Sequence, residues 1–190
     1  MQQKYYDCVM TEEIQHSHAN MVAKLSGRIA QQANYTDDTV SLIKEAARLH
    51  DIGKHYLPVG LLSKPGKLSD REYEMVKQHS VYGFEHLVQH IKVMMAAAII
   101  SLQHHEQVGG GNGYPGTDFI HPYAKLVAVA DVFDALLSQR SYKDPWPPSD
   151  IIQRMSDGRN VHFEGVYIDA LMGAMDEVLA MYEDSRKAAS

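Results

Sequence analysis

EEIQHSHANMVAKLSGRIAQQA, residues 12–33, decides the fold class. Ile14, His18, Met21, Val22, Leu25 and Ile29 recur at three- and four-residue steps, the spacing that aligns side chains on one face of an α-helix. The same period continues outward. Thr36 or Asp37 caps a second helix that runs through Val40, Ile43 and Ala47 to His50 and is stopped by Gly53. Pro58 and KPG (64–66) mark a loop with one short turn. Ser69 followed by Glu72 is a capping-box signature that opens a third long helix to about Val88. Residues 92–106 form a fourth helix, followed by the glycine-dense loop VGGGNGYPG (108–116). Pro122 starts a fifth helix through Leu126, Val129, Ala130 and Phe133 to Leu137. DPWPP (144–148) breaks it, and 149–158 and 166–183 are helical again. Period-2 alternation never lasts beyond a few residues, so no strand is expected. The reading is an all-α chain of about seven helices, one domain over 1–190 with its core at about 10–183 and a flexible tail at 184–190.

Composition narrows the function classes. The chain has 190 residues, 45% hydrophobic and 22% charged, which is enough apolar surface to close one core and excludes a disordered chain. The longest apolar run, VMMAAAII (93–100), falls far short of the roughly 20 residues that span a bilayer. MQQKYYDCVMTEEI mixes polar and acidic residues and does not read as a signal peptide. The single cysteine, Cys8, forms no disulfide framework and points to a reducing compartment, the cytoplasm. The net charge of −6, without a Lys/Arg run, argues against long nucleic acid as a partner. An anionic substrate must then be gripped by local charges or by metal.

Eleven histidines invite a search for geometry. His18 sits in the first helix, His50-Asp51 ends the second and His79 lies in the third. His104-His105 ends the fourth, and Asp131 lies inside the fifth. Successive helical residues diverge by about 100°, so one member of a doublet can face one metal while its neighbour turns to another. An aspartate has two oxygens and can bridge cations about 3.5–4 Å apart. Imidazole with carboxylate suits iron, manganese or zinc. Asp131 stands in VAVADVFDAL among apolar neighbours, where a carboxylate needs a polar edge or a cationic partner. Asp134, one turn on, reads as a surface or capping residue. Taken singly, His18 or His79 would be an ordinary hydrogen-bonded core histidine. Five helices each bringing such a group, two of them as doublets, favour a metal centre.

LHDIGK (49–54), KPGKLS (64–69), KQHSVYG (77–83), HHE (104–106), GNGYPG (111–116), ADVFDAL (130–136), RSYK (140–143) and HFEG (162–165) occur in the order found in the HD-GYP family, and the chain resembles that branch of the HD-domain metal-dependent phosphohydrolases over residues 10–180. The resemblance implies an all-helical fold with a two- or three-metal centre of iron or manganese, with zinc also accepted. It also implies hydrolysis of cyclic di-GMP to linear pGpG, sometimes onward to GMP. Carried over by position, the metal ligands would be His18, His50, Asp51, His79, His104, His105 and Asp131. Metal-richer members place a Glu four residues before the first His. Ile14 stands there, and neither Glu12 nor Glu13 shares the face of His18, so two divalent ions are expected rather than three.

Within that resemblance, Asp51 would bridge the ions, with His18, His50 and Asp131 around one and His79, His104 and His105 around the other. Water activated between the cations would attack phosphorus in line. Lys54 would touch a phosphate or orient the attacking water, Arg140 and Lys143 would hold phosphates, and Gly113 and Tyr114 would meet the base. The chain departs from the family in three places. Ser141 replaces a Pro, Gly109-Gly110 replaces an Asp-Gly pair with one extra residue before GYP, and the stretch from Pro115 to Lys125 is shorter. Substrate choice therefore stays open between cyclic di-GMP, another cyclic or linear dinucleotide, and a non-catalytic sensor role. The sequence also leaves open a homodimer, an attached regulatory domain, and whether this is a stand-alone protein or an excised output domain.

Overall fold

The computed structural model describes residues 12–90, 95–138 and 145–189. Among these the regular elements are all helices, apart from an isolated bridge between Arg159 and Phe163. In order they form α1 (Glu12–Gln32), α2 (Asp37–Ala47), a 3-10 turn (Ile52–Tyr56), α3 (Val59–Leu62) and α4 (Asp70–His90). There follow α5 (Met95–Gln103), α6 (Pro122–Leu137), α7 (Pro148–Asp157), α8 (Gly165–Gly173) and α9 (Met175–Ala189).

Local chemistry places the ends where the sequence marks them. The Thr36 hydroxyl accepts from Thr39 N at 3.4 Å to cap α2. Glu72 Oε2 accepts from Ser69 N at 2.7 Å, while Ser69 Oγ accepts from Glu72 N at 3.4 Å, the reciprocal pair of a capping box. Pro122 opens α6, and the ring nitrogen of His121 accepts from Tyr123 N at 3.2 Å.

α6 is the centre of the bundle. It buries apolar side chains on almost every face, among them Leu126, Val129, Phe133 and Leu136, as expected of a helix surrounded by others. α1 packs on α2 and α6 and adds Val22, Leu25 and Ile29 to the core, and α5 packs on α2, α4 and α6. Two glycines allow the tightest seam. A Cβ at Gly53 would lie 1.9 Å from His79 O, and one at Gly83 would lie 2.1 Å from Ser101 Oγ. The 3-10 turn thus lies backbone against backbone on α4, and α4 seats the small Ser101 of α5 against Gly83, which carries residues 50–51 up to His79.

Four expectations change. α2 ends at Ala47, so Gly53 serves close approach rather than a helix stop. The fourth helix ends at Gln103, before the histidine doublet, and its expected start at 92 lies outside the described residues. The helix expected over 166–183 is two helices, broken at Ala174. The break lets α8 bury Ile168 and Leu171 and turns α9 so that Val178 and Tyr182 also reach the core. With the short α3, the break raises the described α-helices from the seven expected to nine. α9 continues to Ala189 through EDSRKAA, whose Ala, Arg, Lys and Glu favour helix. No helix among the described residues is long and apolar enough to cross a membrane. Cys8 lies outside the described residues.

Candidate metal centre

The seven expected ligand residues come from the faces of α1, α4 and α6 and from the turns that follow α2 and α5, and their donor atoms meet in one buried cluster. The donors of Asp51, His79, His104 and His105 lie within 4.8 Å of one another, as do those of His18, His50 and Asp51 and those of His50, His104 and Asp131. Asp51 faces both ways. Its Oδ1 is 3.2 Å from His79 Nε2 and 3.7 Å from His104 Nε2, and its Oδ2 is 3.3 Å from His50 Nε2. Asp131 Oδ1 is 3.1 Å from His18 Nε2 and 3.9 Å from His50 Nε2.

The backbone fixes how these rings present themselves. His50 Nδ1 donates to Ala47 O at 2.7 Å, and His79 Nδ1 donates to Val76 O at 2.7 Å. His104 Nδ1 donates to Ile100 O and Ser101 O at 3.0 Å each. These hydrogen bonds assign the proton to Nδ1 and leave the Nε2 lone pair of all three rings pointing inward. The inward lone pairs then face carboxylate oxygens and each other, with His79 Nε2 only 3.4 Å from His104 Nε2. Acceptors do not bond acceptors. His50 Nε2 and Asp51 Oδ1 are accordingly buried without a hydrogen-bond partner, an arrangement that a shared cation satisfies. The donor set of imidazoles and carboxylates therefore fits first-row transition metals.

Charge follows the same logic. Burial alone would strip the proton from His18, but Asp131 and Asp134 outweigh it and raise its pKa to about 9. Burial opposes ionisation of Asp51, yet the Lys54 ammonium beside it holds it well below the usual carboxylate range. Asp131 is similarly held low against burial by its hydrogen bond and charge contact with His18. Burial pushes His104 down to about 3. Burial likewise keeps His105 well below the ordinary range. The carboxylates are thus ionised and His104 and His105 neutral near pH 7, the forms that bind metal.

Asp134 is not a surface residue. It is 1% exposed, and its Oδ2 accepts from His18 Nδ1 at 2.6 Å, so it orients the ring whose other nitrogen faces Asp131. A signal existed in its spacing: Asp131 and Asp134 lie one turn apart on a helix buried on almost every face.

The substrate candidates fall differently. Lys54 is buried and ion-paired with Asp51 Oδ2. Tyr114 is 5% exposed, with its ring centroid 4.6 Å from that of His105, so it backs a candidate ligand. Gly113 lies against the chain that leaves the doublet, where a Cβ would come 2.6 Å from Gln107 N. Arg140, Ser141 and Lys143 lie outside the described residues. The sequence reading missed the anchors of this loop. Glu106 Oε1 accepts from Gly116 N at 2.7 Å and from Thr117 N at 2.6 Å. Gln103 donates to Phe119 O at 2.8 Å and accepts from His121 N at 2.9 Å. The glycines turn the loop, with Gly110, Gly111 and Gly116 at positive φ of 77°, 98° and 93°.

Residues 8–166 match the family model described as HD domain. Among curated proteins the chain is 36% identical over 169 residues to the 3'3'-cGAMP-specific phosphodiesterase 2 of Vibrio cholerae, covering 87% of this chain and 32% of that protein. It is 36% identical over 171 residues to the cyclic di-GMP phosphodiesterase of Thermotoga maritima, covering 88% of this chain and 46% of that one. The chain therefore spans less than half the length of these relatives. Among solved structures, an HDG"Y"P protein from Bdellovibrio bacteriovorus superposes with a TM-score of 0.70 at 22% identity, covering 88% of this chain and 55% of that chain, which shows a shared fold. The chain belongs to the HD-domain family, in the HD-GYP branch that its motifs resemble.

Proposed function

We propose that this chain is a metal-dependent phosphodiesterase that hydrolyses cyclic di-GMP to linear pGpG, and in some conditions onward to GMP. The observation that carries the reading is Asp51, whose two oxygens face separate sets of inward imidazole lone pairs. Two divalent ions, iron or manganese before zinc, would neutralise phosphoryl charge there and make water nucleophilic. His18, His50 and Asp131 are the ligands proposed for one ion and His79, His104 and His105 for the other, with Asp51 common to both.

The remaining residues position. Lys54 holds Asp51 ionised and in place from inside the fold. Tyr114 and Gly113 keep His105 and the loop over the centre, and Tyr114 Oη, Arg140 and Lys143 are proposed for base and phosphate contacts. The names of the Vibrio and Thermotoga relatives support a cyclic dinucleotide as the substrate. A cytoplasmic location accords with the one cysteine.

The test is a panel of cyclic and linear dinucleotides assayed with iron and with manganese. The reading expects cyclic di-GMP to be opened with either metal. A second reading, a mixed guanine–adenine cyclic dinucleotide, is favoured by the name of the Vibrio relative, and it expects that substrate to be cut faster. A ligand bound and never cut would contradict both.

A further inference from the structure

α9 is remote in sequence from every candidate ligand, yet one of its side chains reaches their support. Tyr182 is 7% exposed, and its hydroxyl donates to Asp134 Oδ1 at 2.7 Å. Ser138 Oγ, one turn past Asp134 at the end of α6, donates to the same oxygen at 2.9 Å. The other oxygen of Asp134 is occupied by His18 Nδ1 at 2.6 Å. The carboxylate is therefore held by three donors from α1, α9 and the end of α6, and it cannot rotate without breaking two of them. His18 in turn presents Nε2 to Asp131 at 3.1 Å.

We infer that Tyr182 is a positioning residue for the His18 side of the metal centre, acting through Asp134, so that the docking of α9 sets the affinity of one ion and not of the other. The inference rests on the two-ion reading above. The asymmetry follows from the hydrogen bonds: His79 and His104 are oriented by backbone carbonyls of their own helices and owe nothing to α9. The aromatic ring of Tyr182 also packs edge-on against Phe133, with centroids 6.3 Å apart, so Phe at this position keeps the packing and removes only the hydroxyl.

The experiment is a Mn2+ titration by calorimetry of the wild-type chain and its Tyr182→Phe variant, with thermal unfolding of both after chelation. Wild-type protein that binds no Mn2+ would end the two-ion reading itself. Given two ions in the wild type, the variant is expected to bind one of them about tenfold more weakly, the lower end of losses for groups that orient metal ligands. The other affinity should be unchanged, and the metal-free protein should melt only a few degrees lower, as the loss of one hydrogen bond dictates. Two unchanged affinities would overturn the inference, as would a fall in both that tracks a lower melting temperature. Should the Phe variant not fold, Ser138→Ala removes the other donor to the same oxygen and carries the same expectation.

Discussion

Asp51 Oδ1 lies 3.2 Å from His79 Nε2, across the seam between the 3-10 turn and α4. Because His79 donates its Nδ1 proton to Val76 O, two acceptors are held face to face. Replacing Asp51 by Ala removes the one carboxylate that both donor sets share. Phosphodiester hydrolysis should fall by more than the ~10²–10³-fold typical of losing one electrostatic contact, measured as kcat/KM on the cyclic dinucleotide panel.

The same seam depends on Gly53. A methyl group there would meet His79 O at 1.9 Å and Gly83 N at 2.5 Å, both backbone atoms that cannot swing aside. Gly53→Ala should therefore push α4 away from the turn and cost at least the ~1–3 kcal/mol of overpacking. Urea denaturation reads the stability, and a parallel loss of Mn2+ binding would show that His79 has moved.

How much of this was legible beforehand depended on range. Period and caps are local, so α1, the Ser69–Glu72 box and the Pro122 start of α6 could be read directly. The ligand residues could be nominated because five helical segments each bring a histidine or aspartate, two of them as doublets, and because the motifs resemble those of the HD-GYP family. What failed was tertiary. Nothing local says that Gly53 meets His79 O, that Asp134 is sealed under Tyr182, or that α8 and α9 part at Ala174 to reach two sides of the core. Glu106 looked like the tail of a histidine doublet, and its work of holding Gly116 and Thr117 depends on a loop returning to it.

pH should separate folding from metal binding. His18 in the metal-free fold is raised from 6.5 to about 9, so between those values the folded chain holds a proton that the unfolded chain does not. Its contribution, on the order of 3 kcal/mol, is fully present below pH ~6.5 and lost as pH rises through ~9. Chelated protein should thus lose stability over that window in denaturant titrations. Mn2+ affinity should rise over the same window, because the ion displaces the His18 proton.

Glu106 offers a test of the loop apart from the metals. Glu106→Ala leaves the N–H groups of Gly116 and Thr117 without their charged acceptor. A cost of about 1–3 kcal/mol in stability is expected, with KM raised more than kcat is lowered and metal content retained.

The central claim is that one buried carboxylate stands between two ions, and anomalous diffraction from crystals grown with Mn2+ tests it most directly. The account predicts two peaks flanking Asp51, one against His79, His104 and His105 and the other against His18, His50 and Asp131. A single peak, or peaks that leave Asp51 outside their coordination, would contradict it.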